Sequence, residues 1–258
     1  MNKLAKTTIF ATLTCLATPV LAADMYVSGT VGYIDLSSSK NSGTFQSDFT
    51  TGSVTGVTPP LTIPSSSPVG WSTSFDSGMA YSIALGWKMD AFRFELEYAM
   101  SDSDIDSHKG VNAAGIDLTS IDAGVLLTGN VGDLGVSVGD LVADGRGSLE
   151  SSTIYLNAYY DFMHDEAFSP YIGAGIGYAD TDVQFMPSGV GVIDDSDSGF
   201  SYQLILGASY ALNDQFELFG DVRYRDTDDA SVKSPLLSAG FDVENSGTLF
   251  NLGLRYSF

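Results

Sequence analysis

Residues 92–100 read FRFELEYAM, and every second position in this stretch is apolar. The even-numbered positions hold only Phe, Leu, Tyr and Met, whereas the odd-numbered positions include Arg93, Glu95 and Glu97. Successive side chains of a β-strand point to opposite faces of the sheet. A period of two therefore predicts a strand with one apolar face and one charged face.

The same alternation returns in seven other stretches, at residues 27–33, 79–89, 154–162, 172–178, 202–212, 216–225 and 250–258. Asp90 and Ala91 alone separate the second of these stretches from residues 92–100, and a gap of two residues is typical of a β-hairpin. The pattern predicts an all-β chain with eight antiparallel strands.

The charged side chains inside these stretches all lie on one face, and their signs balance. They are five bases and five acids: Lys88, Arg93, Arg223, Arg225, Arg255, Glu95, Glu97, Asp161, Glu217 and Asp221. A soluble sandwich or lipocalin-like barrel turns its apolar face inward and its charged face to water, where the charges would follow the acidic excess of the chain. A confined lumen must instead be nearly neutral, because unpaired buried charge is strongly destabilising.

The opposite face of the eight stretches carries no Lys, Arg, Asp or Glu. This is expected of a surface that contacts lipid, where a Lys or Arg at mid-depth costs about 2–4 kcal/mol. We therefore expect a transmembrane β-barrel. Its apolar face contacts lipid, and the ten charged residues form an ion-pair network in its lumen.

The composition excludes a nucleic-acid-binding protein. The 258 residues include 32 acids and 11 bases, for a formal net charge of −21, and a chain of this sign repels phosphates. No stretch after the N-terminal segment supplies the roughly 20 apolar residues of a transmembrane helix. A membrane location must therefore come from strands.

Residues 1–22 are predicted to be a secretory signal peptide. Lys3 and Lys6 precede an apolar stretch that ends in Val-Leu-Ala, the small-residue pattern of a cleavage site. Residues 23–258 then form a single barrel domain. Cys15 is the only cysteine and lies in the removed segment, so the processed chain contains no disulfide.

The connections between the predicted strands alternate between long and short. The long ones are 36–77, 102–150, 181–199 and 226–247, and the short ones are 90–91, 163–169 and 213–215. Bacterial barrels have short periplasmic turns and longer extracellular loops. We therefore expect four mobile extracellular loops that hold most of the surplus acid, the first of them containing Pro59-Pro60.

The second long connection contains two weaker alternating stretches, at 121–127 and 134–138. They predict a hairpin that projects above the membrane. The alternative is two further transmembrane strands in a ten-stranded barrel. Neither stretch has the aromatic ends of the other eight, which favours eight strands.

Four stretches resemble families of outer-membrane β-barrels that are grouped as opacity or small porin-like proteins. They are FELEY at 94–98, LNAYYDF at 156–162, PYIGAGIGY at 170–178 and LGLRYSF at 252–258. The resemblance implies a place in the bacterial outer membrane and a structural, surface-antigen or adhesive role. Its implied partners are outer-membrane lipid and lipopolysaccharide, with a host or matrix ligand for the loops.

The C-terminal stretch also resembles the signal that the barrel assembly machinery reads. Its apolar positions are Leu252, Leu254, Tyr256 and Phe258. We expect the assembly machinery to be a further partner of this chain.

The predicted lumen permits two functions. An eight-stranded barrel encloses about enough room for side chains and no wide channel, so the charged residues are expected to form a plug. The alternative is a narrow porin for ions or small solutes.

A barrel-embedded, lipid-modifying enzyme is a weaker alternative. Only His108 and His164 could act as a general base, and both fall in predicted connections, where solvated histidines are expected. We therefore predict no catalytic residue and no cofactor.

Two further motifs are expected to be structural. The run Asp102-x-Asp104-x-Asp106 resembles a calcium loop, but Ser107 stands where that loop needs glycine. We therefore predict no metal site. The run is expected to mark the membrane boundary, and the weaker hypothesis is loose divalent-cation bridging to lipopolysaccharide.

Gly173, Gly175 and Gly177 lie inside a strand and are expected to make room for bulky lumen side chains.

Overall fold

The computed structural model describes residues 25–50, 62–127, 130 and 132–258. The predicted signal peptide and Pro59-Pro60 lie outside these residues. Within them, no helix is long and apolar enough to cross a membrane. The elements are β1 (Met25–Leu36), β2 (Ser39–Phe45), β3 (Phe49–Thr50), β4 (Thr62–Ile63), β5 (Pro68–Phe75), β6 (Gly78–Met89), β7 (Phe92–Ala113), β8 (Ile116–Asp117), α1 (Ala123–Leu127), α2 (Val138–Val142), β9 (Gly147–Asp161), β10 (Phe168–Phe185), a 3-10 turn (Pro187–Gly189), β11 (Ile193–Ala211), β12 (Phe216–Ser234) and β13 (Ala239–Ser257).

Eight antiparallel strands close into a hydrogen-bonded ring. In the half that contains the start of β1, the order is β1, β6, β7, β9, β10, β11, β12 and β13. The ring closes between β1 and β13, where Tyr26 lies opposite Ser257 and Leu36 opposite Gly247. The eight-stranded antiparallel barrel is confirmed, as are the short turns after β6, β9 and β11.

At the other end of the ring, two strands are interrupted and continue as separate elements. β2 follows β1 along β13, with Ser42 opposite Asp242. β5 lies beyond β6 along β7, with Val69 opposite Ala113. β2 and β5 also pair with each other. The ring therefore keeps eight strands along its whole length.

The strands extend far beyond the predicted stretches. β7 continues from the predicted end at residue 100 to Ala113. β10 ends at Phe185 and β11 begins at Ile193, inside the predicted third loop. β12 and β13 likewise occupy most of the predicted fourth loop. The prediction of long, mobile loops is wrong for these segments, which form walls of the barrel.

The strands extend further than predicted because the alternation continues beyond Met100 with its polarity inverted. There the inward residues are apolar and the outward residues are polar. Met100 points outward and is 44% exposed. The next outward residues on β7 are Asp102 and Asp104, whereas Ile105 points inward and is buried. An outward apolar face therefore stops at Met100 although the strand does not.

The two weaker stretches in the second connection do not form the predicted hairpin. Asp122 and Ser137 form one isolated antiparallel bridge. The first stretch then continues as the short helix α1, and the short helix α2 begins at Val138, the last residue of the second stretch, so the ten-stranded alternative is also wrong. Local hydrogen bonds account for the helices. The Asp122 carboxylate accepts the backbone N–H of Gly124 at 2.8 Å, and Ser137 and Asp140 form a capping box at the start of α2.

The barrel consists of two halves that differ in polarity. In the membrane half, next to the short periplasmic turns, outward side chains such as Ile83 and Leu206 are apolar and 68% and 65% exposed. In the extracellular half, the interior is apolar. We call this interior the extracellular core; its members include Ile34, Phe45, Val69, Ile105, Phe185, Ile193, Val232, Phe241, Val243 and Leu249.

Candidate functional site

The lumen of the membrane half contains three groups of ion pairs. In the first, the Arg93 guanidinium donates to both oxygens of Asp161, with Nε to Oδ2 at 2.8 Å and Nη2 to Oδ1 at 2.9 Å. The Glu95 carboxylate lies 3.6 Å from Arg93 Nη1. It also accepts hydrogen bonds from the hydroxyls of Tyr26 at 2.7 Å and Tyr159 at 2.8 Å.

The second group is centred on Arg223. Its Nη1 lies 2.7 Å from Glu97 Oε1, and its Nε and Nη2 donate to Asp221 at 2.9 and 3.0 Å. The other oxygen of Glu97 accepts from Asn157 at 2.7 Å and Gln203 at 3.0 Å. Buried charge is tolerated when it is both paired and hydrogen-bonded, and both conditions hold here.

Arg255 pairs with Glu217 and completes the set. We call these eight residues, Arg93, Glu95, Glu97, Asp161, Glu217, Asp221, Arg223 and Arg255, the lumen network.

Lys88 and Arg225 depart from the predicted set. Among the described residues, neither lies within 4.0 Å of a carboxylate oxygen. Lys88 is half-buried near the periplasmic turn, and Arg225 is buried with its guanidinium 5.0 Å from the centre of the Tyr155 ring. A shared face does not ensure a shared ion pair, because the partner depends on the height of each residue in the barrel.

Aromatic rings separate the charges of the lumen network. The Arg93 guanidinium lies 4.5 Å from the centre of the Tyr159 ring and 4.8 Å from that of Tyr171. The Arg255 guanidinium lies 4.8 Å from the centre of the Tyr26 ring. Parity along the strands marks these rings as inward-facing, but it does not reveal that they stack on arginine.

The glycines of β10 make the room for these rings. A Cβ atom on Gly173 would lie 2.5 Å from Tyr159 Cδ1, and one on Gly177 would lie 2.6 Å from Tyr155 Cδ1. The expected role of this glycine run is therefore confirmed.

Little space remains between the lumen side chains. The gap lined by Arg93, Glu97 and Arg255 does not admit a water-sized sphere. A second gap, next to Arg225, measures about 10 Å³. A single buried water needs at least about 10–15 Å³, so the first gap is too small for a water and the second is at the lower limit.

The extracellular core encloses a cavity of about 110 Å³, which we call the extracellular cavity. Its walls include Phe45 of β2, Trp71 of β5, His108 of β7, Val138 of α2 and Phe185 of β10. None of the described residues that line it is Asp, Glu, Lys or Arg. The cavity is thus an apolar space in the half of the barrel that stands outside the membrane.

His108 is not the solvated loop residue that the sequence predicted. It is 4% exposed and lies in the wall of the extracellular cavity. The β5–β7 register shifts between Ser74 and Phe75, so Ser107 and His108 are both buried. Burial lowers the pKa of His108 to about 4, and the nearby Asp144 only partly opposes this effect.

His164, in contrast, lies in a periplasmic turn as expected. It is partly exposed, and its Nε2 is 3.3 Å from Asp165 Oδ2.

The run at 102, 104 and 106 lies on the outer face of β7 just above Met100. This position is consistent with a membrane-boundary marker. Among the described residues, no group of three His, Cys, Asp or Glu side chains has an arrangement that could hold a metal ion.

The predicted assembly signal lies on the outer face at the end of β13. Leu252, Leu254 and Phe258 are exposed, and the Tyr256 ring contacts Phe216 and Phe258 at centroid distances of 5.1 and 5.4 Å. Recognition of these residues by the assembly machinery stays a prediction.

Comparisons with known proteins agree with this architecture. The family model described as outer membrane protein beta-barrel domain matches residues 8–258. The outer membrane protein PagN of Salmonella typhimurium is 27% identical over 124 residues, which cover 44% of this chain and 52% of PagN. The chain thus spans about half the length of that curated relative.

Solved structures of outer-membrane proteins are similar to this chain at low sequence identity. The outer membrane protein OprG of Pseudomonas aeruginosa is similar with a TM-score of 0.55 and 18% identity, over 92% of this chain and 96% of OprG. Neisserial surface protein A is similar with a TM-score of 0.46 and 14% identity, over 91% of this chain and 97% of that protein. Because the family model covers the whole ring of strands, the chain belongs to the outer membrane protein β-barrel domain family and is a protein of the outer membrane.

Proposed function

We propose that this outer-membrane protein is a non-conducting barrel that acts at the cell surface, in envelope integrity, surface presentation and attachment. The observation that carries the proposal is the packed lumen. Ion pairs and aromatic rings fill the interior of the membrane half, and the gap next to Arg225 measures about 10 Å³. A barrel without a water path leaves its extracellular half as the part that meets other molecules.

The lumen network argues against the narrow porin. Conduction requires side chains to move apart and open a continuous aqueous path. Such motion would separate Arg223 from Glu97 and Asp221, which it holds at 2.7–3.0 Å. Removal of one partner of a buried ion pair typically costs about 3–5 kcal/mol. This penalty favours a static plug.

The extracellular half supplies an ordered surface for attachment. Its strands continue above the membrane and turn acidic side chains outward, including Asp104, Asp182, Asp242 and Glu244. An acidic surface attracts basic partners and accelerates their association. The partner class that we propose is therefore a lysine- or arginine-rich segment of a host or matrix protein.

Two further partners follow from the position of the barrel. Lipopolysaccharide surrounds the outer leaflet end of the barrel, where divalent cations would bridge its phosphates to outward acids such as Asp102. The barrel assembly machinery would read the outer face of β13 at Leu252, Leu254, Tyr256 and Phe258.

We also propose that the protein is not an enzyme. The described residues do include a hydroxyl–imidazole pair, because Thr73 Oγ1 lies 2.8 Å from His108 Nδ1. However, the Thr73 side chain is fully buried and already accepts a hydrogen bond from Asn41. A nucleophile must reach its substrate, and this one does not.

Conductance in planar lipid bilayers tests the closed lumen. We expect no discrete openings from the folded protein, whereas Arg223→Ala together with Glu97→Ala should produce openings or leak. Steady single-channel conductance of the unaltered protein would contradict the proposal.

Adhesion of bacteria that display the protein tests the attachment role. The charge-removing variant Asp104→Asn, Asp182→Asn and Asp242→Asn should reduce binding to an immobilised lysine-rich peptide severalfold at low salt. A matched control changes Asp90→Asn, Asp165→Asn and Asp214→Asn in the periplasmic turns and should bind as the parent does. Equal binding of all three proteins would contradict the proposed partner class.

A further inference from the structure

The wall of the extracellular half is interrupted between β11 and β12. On either side of this place the pairing is long, because β10 pairs with β11 over the whole length of β10 and β12 pairs with β13 as far as Ser234. The ladder between β11 and β12, however, ends where Ser201 lies opposite Thr227. Residues 193–200 of β11 and 228–234 of β12 therefore face each other without a shared ladder. We call the space between these two segments the seam.

A β-bulge in β12 accounts for the seam. The register between β12 and β13 shifts between Thr227 and Ala230, so that Asp228 and Asp229 together lie opposite the single residue Glu244. A bulge bends its strand and disrupts the local ladder. The ladder between β11 and β12 ends at Thr227, directly before this bulge.

Carboxylates, instead of backbone carbonyls, cross the seam. Three exposed hydrogen bonds of this kind join the two strands. Their acceptors and backbone N–H donors are Asp197 Oδ2 with Ser231 at 2.8 Å, Asp195 Oδ2 with Lys233 at 3.0 Å, and Asp228 Oδ2 with Phe200 at 3.0 Å. A strand edge that is held by side chains keeps its backbone groups available to another strand. Addition of an extended peptide to such an edge is a common mode of recognition.

The charge beside the seam restricts which strand can bind. The two segments contain five acids and one base: Asp194, Asp195, Asp197, Asp228, Asp229 and Lys233. A second copy of this chain would bring the same acids to the seam, and like charges on neighbouring strands are destabilising. A basic strand is attracted instead. It also supplies cations for the carboxylates that it displaces from the backbone N–H groups.

We propose that the seam binds an extended, lysine-rich peptide segment as an added β-strand. Backbone carbonyls of the peptide take the N–H groups of Ser231 and Lys233, and its lysines pair with the released carboxylates of Asp197 and Asp195. Successive side chains of a strand alternate between two faces, so lysine at every second position places the cations on one face. The proposal rests on the basic partner class proposed above and names its site and its mode of recognition.

Entry of the peptide requires β11 and β12 to separate. Two strands that flank a third are about 10 Å apart, which is twice the usual spacing between neighbours. The three carboxylate hydrogen bonds across the seam oppose this separation, but each contributes only a modest net stabilisation because water can replace it. An uninterrupted backbone ladder over the same length would oppose it more strongly.

Two peptides of equal charge test the mode of recognition. One alternates lysine and valine over about eight residues, the usual length of a strand. The other has the same sequence with every backbone nitrogen methylated, so that it keeps its charge but has no N–H donor. In titration calorimetry, the folded protein in nanodiscs should bind the first peptide at least about tenfold more tightly, because the second cannot form the backbone hydrogen bonds of a strand.

The outcomes of this comparison separate the two proposals. Equal affinities for the two peptides would overturn strand addition and leave the basic partner class intact. Absence of binding by either peptide would contradict the partner class and strand addition together.

Amide hydrogen exchange locates the bound peptide. Exchange of residues 228–234 should become at least about tenfold slower when the first peptide is bound, because the added strand protects the edge of β12. The control segment is 40–44 of β2, which is paired on both sides, and its exchange should not change. Unchanged exchange at 228–234 with the peptide bound would show that it binds elsewhere and would overturn the proposal.

Removal of one backbone N–H provides the matched test. Ser231→Pro deletes the N–H that faces the seam, and proline is tolerated where the N–H of a strand is not part of a ladder. Affinity for the first peptide should fall severalfold, whereas the weaker affinity for the methylated peptide should not change. An unchanged affinity for the first peptide would overturn the proposal. If the variant does not fold, as judged by its β-sheet circular dichroism, the peptide comparison and the exchange measurement on the unaltered protein decide.

Discussion

The membrane half and the extracellular half share one ring of eight strands but have opposite polarity. In the membrane half, Glu97 is 1% exposed in the lumen while Ile83 faces lipid. In the extracellular half, Val243 is fully buried while Asp104 faces water. The backbone alternation is the same in both. The surrounding solvent, and not the strand geometry, therefore decides which set of alternate residues is polar.

The two halves also differ in how their interiors are stabilised. The lumen network depends on paired charges that cannot lose one member without exposing the other to a medium of low dielectric. The extracellular core depends on apolar packing, where losses scale with the volume removed. Matched substitutions in the two halves therefore test the comparison.

The largest effect is expected from Arg223→Met. The substitution leaves Glu97 and Asp221 buried without their shared cation and should reduce the free energy of unfolding by about 3–5 kcal/mol. Urea unfolding in detergent micelles measures the change. The control, Lys88→Met, removes a half-buried cation that has no ion pair and should change stability by less than about 0.5 kcal/mol. Equal losses would show that the network is not the source of stability.

The next largest difference in stability between the two halves is expected when a charge is introduced on the outer face. Leu156 lies opposite Leu96 in the middle of the apolar band, and Leu156→Arg should cost about 2–4 kcal/mol. Asp104→Arg, on the outer face above the membrane, should change stability by no more than about 0.5 kcal/mol. The measurement is the same unfolding titration, now in lipid bilayers. If Asp104→Arg cost as much stability as Leu156→Arg, the assignment of residue 104 to the surface above the membrane would be contradicted.

The pH dependence of stability tests the apolar surroundings of His108. Its pKa is lowered from 6.5 to about 4 in the folded protein, so the unfolded chain binds the proton first as the pH falls. The stabilising contribution is complete above about pH 6.5 and is lost towards pH 4. Between pH 7.5 and pH 5 the unaltered protein should lose about 2 kcal/mol more than His108→Gln. The same pH profile for His108→Gln and the parent would contradict the buried, neutral imidazole.

The smallest effect is expected when isoleucine is replaced by valine inside the barrel and, separately, on its lipid-facing surface. Ile193 is 1% exposed in the extracellular core, and Ile193→Val should cost about 0.5–1.5 kcal/mol. Ile83 faces lipid, where the lost methylene leaves no cavity, so Ile83→Val should be nearly neutral. Differential thermal melting of the two variants decides this, and the reverse ranking would contradict the assignment of faces.

The membrane half was largely predictable because lipid imposes one rule on all its strands. Parity placed Glu97 and Arg223 in the same lumen, although 126 residues separate them. Parity did not show that they form an ion pair, since that requires the register of the whole ring. Only that register specifies Asn157 and Gln203 as hydrogen-bond partners of Glu97. It also explains why Lys88 has no place in the lumen network.

The extracellular half was less predictable because its polarity changes sign along continuous strands. Ile105 and Val183 have the parity of lumen residues and the hydropathy of lipid-facing ones, so neither property alone identifies them. His108 escaped prediction because the register shift beside Ser74 reverses the parity of β7. The helices α1 and α2 depend on side-chain caps at Asp122 and Ser137, which compete with the alternating pattern.

The most direct test of the account is a nitroxide scan of single-cysteine variants along β7 in lipid bilayers, from residue 93 to residue 105. Even positions from 94 to 100 should be accessible to dissolved oxygen, and those at 102 and 104 should be accessible to a water-soluble nickel complex. Odd positions should be protected from both reagents over the whole scan. A change of parity at residue 100, or accessible labels at 97 and 105, would contradict a single outward face that passes from lipid to water.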